Sequence, residues 1–147
     1  MQHKSSMKCE KGCDSCCESL TIFPIEFDAI KKELGNSVVL PKKKFLNNYT
    51  KSCRFLVKGI CSIYESRPII CRTQGLPLLY ESIKGNDFEL SVCKLNFVGA
   101  DISKFNMENS LFMPPFNSRL FLLNKEYIEQ DLKYSSKSTK RIKLNTL

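Results

Sequence analysis

Half of the eight cysteines in this 147-residue chain fall within nine residues, at Cys9, Cys13, Cys16 and Cys17. An α-helix turns by about 100° per residue, so a helical segment would place these four side chains within an arc of about 100° on one face. The same spacing is typical of an apolar stripe packed in a core, which is the alternative interpretation. A loop, which Gly12 permits, would free the four sulfurs from that geometry.

The other four cysteines make a second set of the size that metal sites use. Tetrahedral Zn²⁺ sites and iron-sulfur clusters both take four protein ligands, and both accept cysteine at every position. His3 is the only histidine, and we expect it to lie in a mobile N-terminus, so sites that need several histidines are excluded. We therefore predict that sulfur ligands hold zinc or iron, with an iron-sulfur cluster as one form of the iron. The candidate ligands are Cys9, Cys13, Cys16, Cys17, Cys53, Cys61, Cys71 and Cys93.

Geometry limits how the clustered thiols can share a metal. Because zinc-sulfur bonds are about 2.3 Å long, two cysteines on one ion have Cα atoms within about 10 Å of each other. In a regular helix Cys9 and Cys17 would lie about 12 Å apart along the axis. A larger cluster, two metals, or one site that joins part of the first set to distant cysteines all remain compatible with the sequence.

Cysteine usage and hydropathy bear on the compartment. A disulfide framework needs an oxidising environment, and the first eight residues contain no apolar stretch that would serve as a signal peptide. We expect a cytoplasmic protein whose clustered thiols are metal ligands or redox groups. No apolar run approaches the roughly 20 residues of a membrane helix, so no membrane partner is expected.

The net charge of +8 does not lead us to expect a nucleic-acid partner, because much of the excess lies in one segment. Five of the 23 Lys and Arg residues follow Asp131, after which there is no acidic residue. Other basic residues adjoin cysteines, where they would offset thiolate charge; a solvated basic surface is the alternative. These neighbours are Lys8, Arg54, Arg72 and Lys94.

Turn residues and apolar spacing predict short elements before residue 74. We expect a strand within residues 20–23, then a helix over 25–34 with Phe27, Ile30 and Leu34 on its buried face and Gly35 at its end. A short helix is predicted within 45–49. Two apolar runs around Lys58 and Gly59 predict a hairpin that brings Cys53 and Cys61 to one end. A helical turn over 68–73 would carry Cys71.

Further elements are predicted toward the C-terminus. Residues 78–83 and 88–92 form a second predicted hairpin, with Phe88, Leu90 and Val92 alternating on a buried face. Asp101 is a candidate helix cap. After Pro114 and Pro115, we expect Asn117 or Ser118 to cap a helix whose inner face comprises Leu120, Leu123, Tyr127 and Ile128.

Taken together, these patterns predict a small α+β fold. We expect a single domain over residues 1–134, made of short helices and two β-hairpins organised around a cysteine-ligated metal site. Residues 135–147 are polar and basic without periodicity, and we predict a disordered tail there.

Residues from about 9 to 97 resemble the YkgJ-type or CxxCxxCC cysteine-cluster proteins, which are described as zinc- or iron-chelating. The most specific part of the likeness is the run Cys61-x-Ile63-Tyr64-x-x-Arg67-Pro68-x-x-Cys71-Arg72, preceded by Cys53-Arg54-Phe55-Leu56. The resemblance implies that the matched cysteines form the metal site, but it implies no reaction. A flagellin lysine methylase looks like a member with added segments, so an iron-sulfur redox or methylase-like enzyme is the alternative function. Three residues separate Cys9 from Cys13 where the family pattern has two, which makes Cys9 the least supported ligand.

The arginines of that run have two interpretations. Arg67 and Arg72 would donate to metal-bound sulfur or grip an anionic substrate, or else they pair with Glu65, Glu81 or a carbonyl. We expect Tyr64 to lie in the core. No nucleophile with a matching base can be assembled, so the sequence predicts a metal-binding protein and leaves open whether it is an enzyme.

Overall fold

Proline and glycine delimit the first long helix in a computed structural model, which describes residues 3–10, 12–35, 53–83, 85, 87–130 and 140–147. The helix spans Pro24–Leu34. Proline suits the first turn because the N–H it lacks would have no helical partner there. Gly35 ends the helix with φ 52°, and its N–H donates to Lys31 O at 3.2 Å. The predicted helix is confirmed, with Ile30 buried and Phe27 and Leu34 packed against the same core.

The architecture is α+β, as predicted. The helices are α1 (Pro24–Leu34), α2 (Ile69–Thr73) and α3 (Pro114–Gln130). The strands are β1 (Thr21–Ile22), β2 (Leu56–Val57), β3 (Ile60–Cys61), β4 (Leu78–Glu81), β5 (Phe88–Ser91), β6 (Leu111–Phe112) and β7 (Ile142–Lys143). Short 3₁₀ turns cover Lys4–Ser6, Ile102–Lys104 and Leu144–Thr146.

The backbone divides into two compact units. The first unit comprises Met1–Glu10 and Thr73–Leu120, and the second unit comprises Lys11–Arg72 and Phe121–Leu147. The expectation of a single domain stays a prediction.

Both hairpins predicted from the sequence are confirmed. In the second unit β2 and β3 pair antiparallel, with Leu56 opposite Cys61. Lys58 and Gly59 both have positive φ, 50° and 75°, as the tightest hairpin turns require. In the first unit β4 and β5 pair antiparallel, and β6 adds to β4 in parallel.

The buried face predicted for β5 is wrong at Phe88, which is 51% exposed. The sheet order β5-β4-β6 places β5 at an edge, where a side chain has a neighbouring strand on one side only. The Phe88 ring packs edge-on against Phe112, 5.8 Å between centroids. Leu90 and Val92 are half-buried.

His3 and Asp101 have defined places in the first unit. The prediction that His3 is mobile is wrong, because its ring lies 5.3 Å from that of Phe97 and 5.8 Å from that of Phe105, centroid to centroid. His3 Nε2 lies 2.5 Å from Asn109 O. The Asp101 cap is confirmed, since its carboxylate accepts from Ser103 N at 3.1 Å.

Helix α3 begins at Pro114, three residues before the predicted cap, because proline suits a first helical turn. Its buried residues are Asn124 and Ile128. The predicted inner face is wrong at Leu123, which is 44% exposed. In the second unit Asn124 takes the inner position because its Oδ1 accepts the N–H of Ile25, in the first turn of α1, at 3.2 Å.

The core of the second unit is small. Among the described residues, the hydrophobic cluster at its centre consists of Ile22, Ile30, Phe55, Ile63 and Leu144. Cys53, Cys61 and Ile70 are half-buried against it.

Residues 140–147, which we call the C-terminal strap, complete that core. Strand β7 pairs antiparallel with β1, placing Ile142 opposite Ile22 and Lys143 opposite Thr21. Leu144 is 1% exposed. The prediction of a disordered tail is therefore wrong for residues 140–147, because alternate apolar residues in this basic stretch pair with a strand and enter the core. Residues 135–139 and the helix predicted within 45–49 lie outside the described residues.

Across the part of the chain that the structure describes, none of the helices combines the length and apolarity needed to cross a membrane.

Leu144→Ala tests the C-terminal strap. Deleting a fully buried leucine side chain removes apolar contacts and leaves a cavity, so the free energy of unfolding should fall by about 2–5 kcal/mol in urea titrations followed by circular dichroism. Lys143→Ala is the control, because this exposed neighbour should change the same quantity by less than about 0.5 kcal/mol. Equal stability of the two variants would contradict the placement of the strap.

Candidate metal centre

The two units share the eight cysteines unequally. Cys9 and Cys93 belong to the first unit, and the second unit contains Cys13, Cys16, Cys17, Cys53, Cys61 and Cys71. All eight are thiols rather than disulfides. The described residues between Cys9 and Cys17 form a loop with turns, in which Gly12 has φ 97°. The loop interpretation therefore holds, and the helical stripe does not.

In the second unit a backbone contact joins the early cysteine cluster to the first hairpin. The N–H of Cys53 donates to the carbonyl of Cys17 at 2.9 Å. Across the hairpin the N–H of Ser62 donates to Phe55 O at 2.8 Å, which fixes Cys61 beside the segment that begins with Cys53. The prediction that this hairpin brings Cys53 and Cys61 to one end agrees with their shared packing against the core.

Helix α2 carries Cys71 and is anchored by a buried carboxylate. The Cys71 N–H donates to Pro68 O at 3.0 Å, in the first turn. Glu26 Oε1 accepts the N–H of Ile69 at 3.0 Å, while its Oε2 accepts that of Phe23 at 3.2 Å. One side chain thus satisfies orphan donors at the starts of α1 and α2. The sequence analysis missed this role of Glu26, although a glutamate in a first helical turn is a recognisable capping signal.

Burial and neighbouring thiols raise the pKa of three cysteines. Burial raises the pKa of Cys17 to about 11, and Cys16, Cys53 and Cys61 add to the effect. Burial also raises the pKa of Cys71 to about 12, with contributions from Cys53, Cys61 and Cys17. Electrostatic repulsion between thiolates falls off with distance, so these sulfurs of the second unit lie close enough together for their charges to interact.

Several effects of opposite sign act on the pKa of Cys53. Burial raises its pKa and Cys61 adds to the increase, whereas the backbone N–H groups of Phe55 and Leu56 and the charge of Arg54 lower it. Amides directed at a sulfur stabilise its thiolate, which is the form that binds metal. The turn after Cys53 is therefore suited to a metal ligand.

The two arginines of the most specific sequence run bind carbonyls, as the alternative interpretation expected, and the charge of Arg67 also acts to lower the pKa of Cys71. Arg67 Nε donates to Tyr64 O at 2.8 Å, and its guanidinium lies 3.5 Å from the centroid of the Tyr64 ring. Arg72 donates to the carbonyls of Arg67 and Glu65. Tyr64 is 56% exposed, so the prediction that it lies in the core is wrong; its ring is a surface platform for Arg67.

In the first unit Cys9 is fixed by a buried side-chain amide that no sequence signal predicts. Asn96 is 3% exposed, and its Nδ2 donates to Cys9 Sγ at 3.3 Å and to Gly75 O at 2.7 Å. Its Oδ1 accepts the N–H of Lys8 at 2.8 Å. A Cβ on Gly75 would lie 2.6 Å from Cys9 Sγ, so this position requires glycine. Asn96 N donates to Cys93 O at 3.0 Å, so both cysteines of this unit adjoin Asn96.

Within the described ranges no three Cys, His, Asp or Glu side chains already stand in an arrangement that would hold a metal ion. The donor chemistry in the second unit nonetheless fits zinc or iron, because its grouped side chains are thiols and one of them faces stabilising amides.

Comparison with known proteins agrees with this chemistry. A family model, "CxxCxxCC: Putative zinc- or iron-chelating domain", matches residues 8–94, more than half of the 147-residue chain. No curated protein and no solved structure matches the chain. The matched region begins just before Cys9 and ends just after Cys93, so it contains all eight cysteines, and the chain belongs to the CxxCxxCC family.

Proposed function

We propose that this chain is a cytoplasmic metal-binding protein in which Cys17, Cys53, Cys61 and Cys71 hold zinc or iron. The observation that supports the proposal most directly is the mutual effect of these thiols, since Cys53 and Cys61 raise the pKa of both Cys17 and Cys71. Cys17, Cys53 and Cys71, whose pKa values burial and neighbouring thiols raise, become compatible as thiolates when a divalent cation lies among them.

The proposed ligands come from three segments of the second unit: the cysteine loop, the β2–β3 hairpin and α2. A bound ion would supply a tetrahedral cross-link between these segments. The chain's own part is to present the sulfurs, through the Cys53–Cys17 backbone bond and the Glu26 anchor of α2, and to stabilise the Cys53 thiolate with backbone amides.

The other four cysteines lie outside this four-thiol set, and a ligand role for them stays a prediction. Cys13 and Cys16 adjoin Cys17 in the same loop and would serve a second metal or a larger cluster. An iron-sulfur cluster is the alternative occupant, favoured by the all-sulfur donor set. It would support the alternative function, a redox or methylase-like protein-modifying enzyme.

Cysteine-to-serine variants test the ligand set. Purified under anaerobic conditions, the wild-type chain should contain about one zinc or iron atom per chain by elemental analysis, because four thiolates complete one tetrahedral shell. Cys53→Ser and Cys71→Ser should each lose most of the metal, since the serine hydroxyl is a poor ligand for it. Cys9→Ser and Cys93→Ser, from the first unit, are the controls and should retain it.

Wild-type protein empty of both metals, or equal losses in all four variants, would refute this ligand set. Brown protein with several iron atoms and matching sulfide would identify the iron-sulfur form. Colourless zinc-loaded protein would exclude that form and the enzyme hypothesis that depends on it.

Metal binding should release protons. Cys17 and Cys71, with pKa values of about 11 and 12, are protonated at neutral pH in the metal-free protein, whereas a ligand thiol must be a thiolate. Apparent zinc affinity should therefore rise with pH between 6 and 8, by about tenfold per pH unit for each thiol ionised. Calorimetric titration in buffers of different ionisation enthalpy should count about four protons per zinc for a four-thiol shell. A count near zero would show that the ligands are not thiols.

Removing the metal should destabilise the fold. The buried core of the second unit is small, and binding energy at a site absent from the unfolded chain adds to folding stability. Chelator treatment under reducing conditions should abolish most of the cooperative thermal transition seen by circular dichroism, and added zinc should restore it. An unchanged transition after complete metal removal would rule out a structural role.

A further inference from the structure

Arg54, which follows the proposed ligand Cys53, is buried and held by the C-terminal strap. Only 5% of the residue is exposed. Its Nη1 donates to the backbone oxygens of Asn145 at 2.9 Å and Leu147 at 2.8 Å. Its backbone N–H donates to Asn145 Oδ1 at 3.0 Å. Side chain and backbone of the residue beside Cys53 are thus both fixed by a segment more than 90 residues away in sequence.

The strap is itself well anchored in the second unit. Besides the β1–β7 pairing and the burial of Leu144, Asn145 Nδ2 donates to Ser19 Oγ at 2.9 Å. Arg141 Nη2 donates to Thr21 O at 2.8 Å. The main-chain oxygens of Asn145 and Leu147, which accept hydrogen bonds from Arg54, therefore belong to a well-anchored segment.

Part of the Arg54 guanidinium has no acceptor. Its Nε is buried and has no hydrogen-bond partner among the described residues. Burying a cationic donor without a hydrogen-bond acceptor costs folding free energy, and such donors in native proteins usually bind a ligand, an ion or water.

We infer that Arg54 and the C-terminal strap belong to the metal centre. The strap fixes the guanidinium beside Cys53, where the positive charge of Arg54 offsets the negative charge of the metal-bound thiolates and a thiolate accepts the hydrogen bond from Nε. This inference rests on the proposed function. Four thiolates around a divalent ion carry a net charge of about −2, which a half-buried site accommodates better beside a buried cation. Arg54 acts through Cys53, so it is a positioning residue. The strap lies beyond residue 94, where the family match ends, so the match does not include it.

Zinc release from the full-length loaded protein tests the role of Arg54. With excess chromogenic chelator at neutral pH, Arg54→Gln should release zinc about 10- to 100-fold faster than wild type, the range for losing a partner of a metal ligand. Arg54→Lys keeps the charge and should fall between the two. Arg72→Gln is the matched control, because Arg72 follows Cys71 as Arg54 follows Cys53 but is exposed. It should stay within about twofold of wild type, since solvent screens its charge.

The strap is tested by a second pair of variants. Asn145→Ala removes the acceptor for the Arg54 N–H and the contact with Ser19, and should speed zinc release at least about threefold through the displaced Cys53. Thr146→Ala is its control, because the Thr146 hydroxyl donates locally to Lys143 O. Thermal transitions of the zinc-loaded variants, recorded before chelator is added, separate lost metal retention from lost folding.

The outcomes distinguish the two proposals. A wild-type protein that binds no zinc refutes the proposed function. Wild-type protein that retains zinc, with Arg54→Gln and Asn145→Ala releasing it at the wild-type rate, refutes only the inference about Arg54 and the strap. Equal acceleration by Arg54→Gln and Arg72→Gln would also refute it, because any nearby cation would then suffice. If Arg54→Gln does not fold, Arg54→Lys and Asn145→Ala decide the question.

Discussion

The chemistry of the second unit depends on electrostatic repulsion between neighbouring cysteine thiolates. Cys17, Cys53, Cys61 and Cys71 are half-buried, and ionising one disfavours ionising the next. As neutral thiols they behave as small apolar side chains, which agrees with the packing of Cys53 and Cys61 against the core. As thiolates they are compatible only when positive charge lies among them. In the proposed function, the same packing that makes these residues tolerable as part of a core also favours a thiophilic cation.

Residues other than cysteine determine where the sulfurs lie. Glu26 satisfies N–H groups at the starts of both α1 and α2, so the helix carrying Cys71 depends on a carboxylate 45 residues earlier in the chain. The amides after Cys53 offer its sulfur partial positive charge, and Arg54 brings a full one. A four-thiolate site is too negative to be stable in a partly buried place without such compensation. In the proposed function, these supports contribute to metal binding together with the ligands.

Local signals predicted much of the fold and little of its long-range assembly. Pro24 with Gly35, and Lys58 with Gly59, set dihedral angles within a few residues, so α1 and the first hairpin could be predicted from the sequence. The C-terminal strap could not, because Ile142 and Leu144 are isolated apolar residues in a basic stretch and their partners lie near residue 22. The exposure of Tyr64 was not predicted for a related reason. An aromatic side chain can pack in a core or form a cation–π contact at the surface, and which of these occurs here depends on the position of Arg67.

The cysteines show most clearly that local sequence signals do not predict long-range assembly. Their clustering identified the chemistry, but spacing alone did not show that Cys9 belongs to a different unit from Cys13, four residues later. That separation follows from Asn96, whose buried amide binds the Cys9 sulfur and the Gly75 carbonyl, and from the missing side chain of Gly75, which leaves room for that sulfur. The additional residue between Cys9 and Cys13, relative to the family pattern, occurs where the chain passes from one unit to the other. A motif continuous in sequence thus divides between two structural environments, and its spacing reflects the path of the backbone as well as the geometry of a metal.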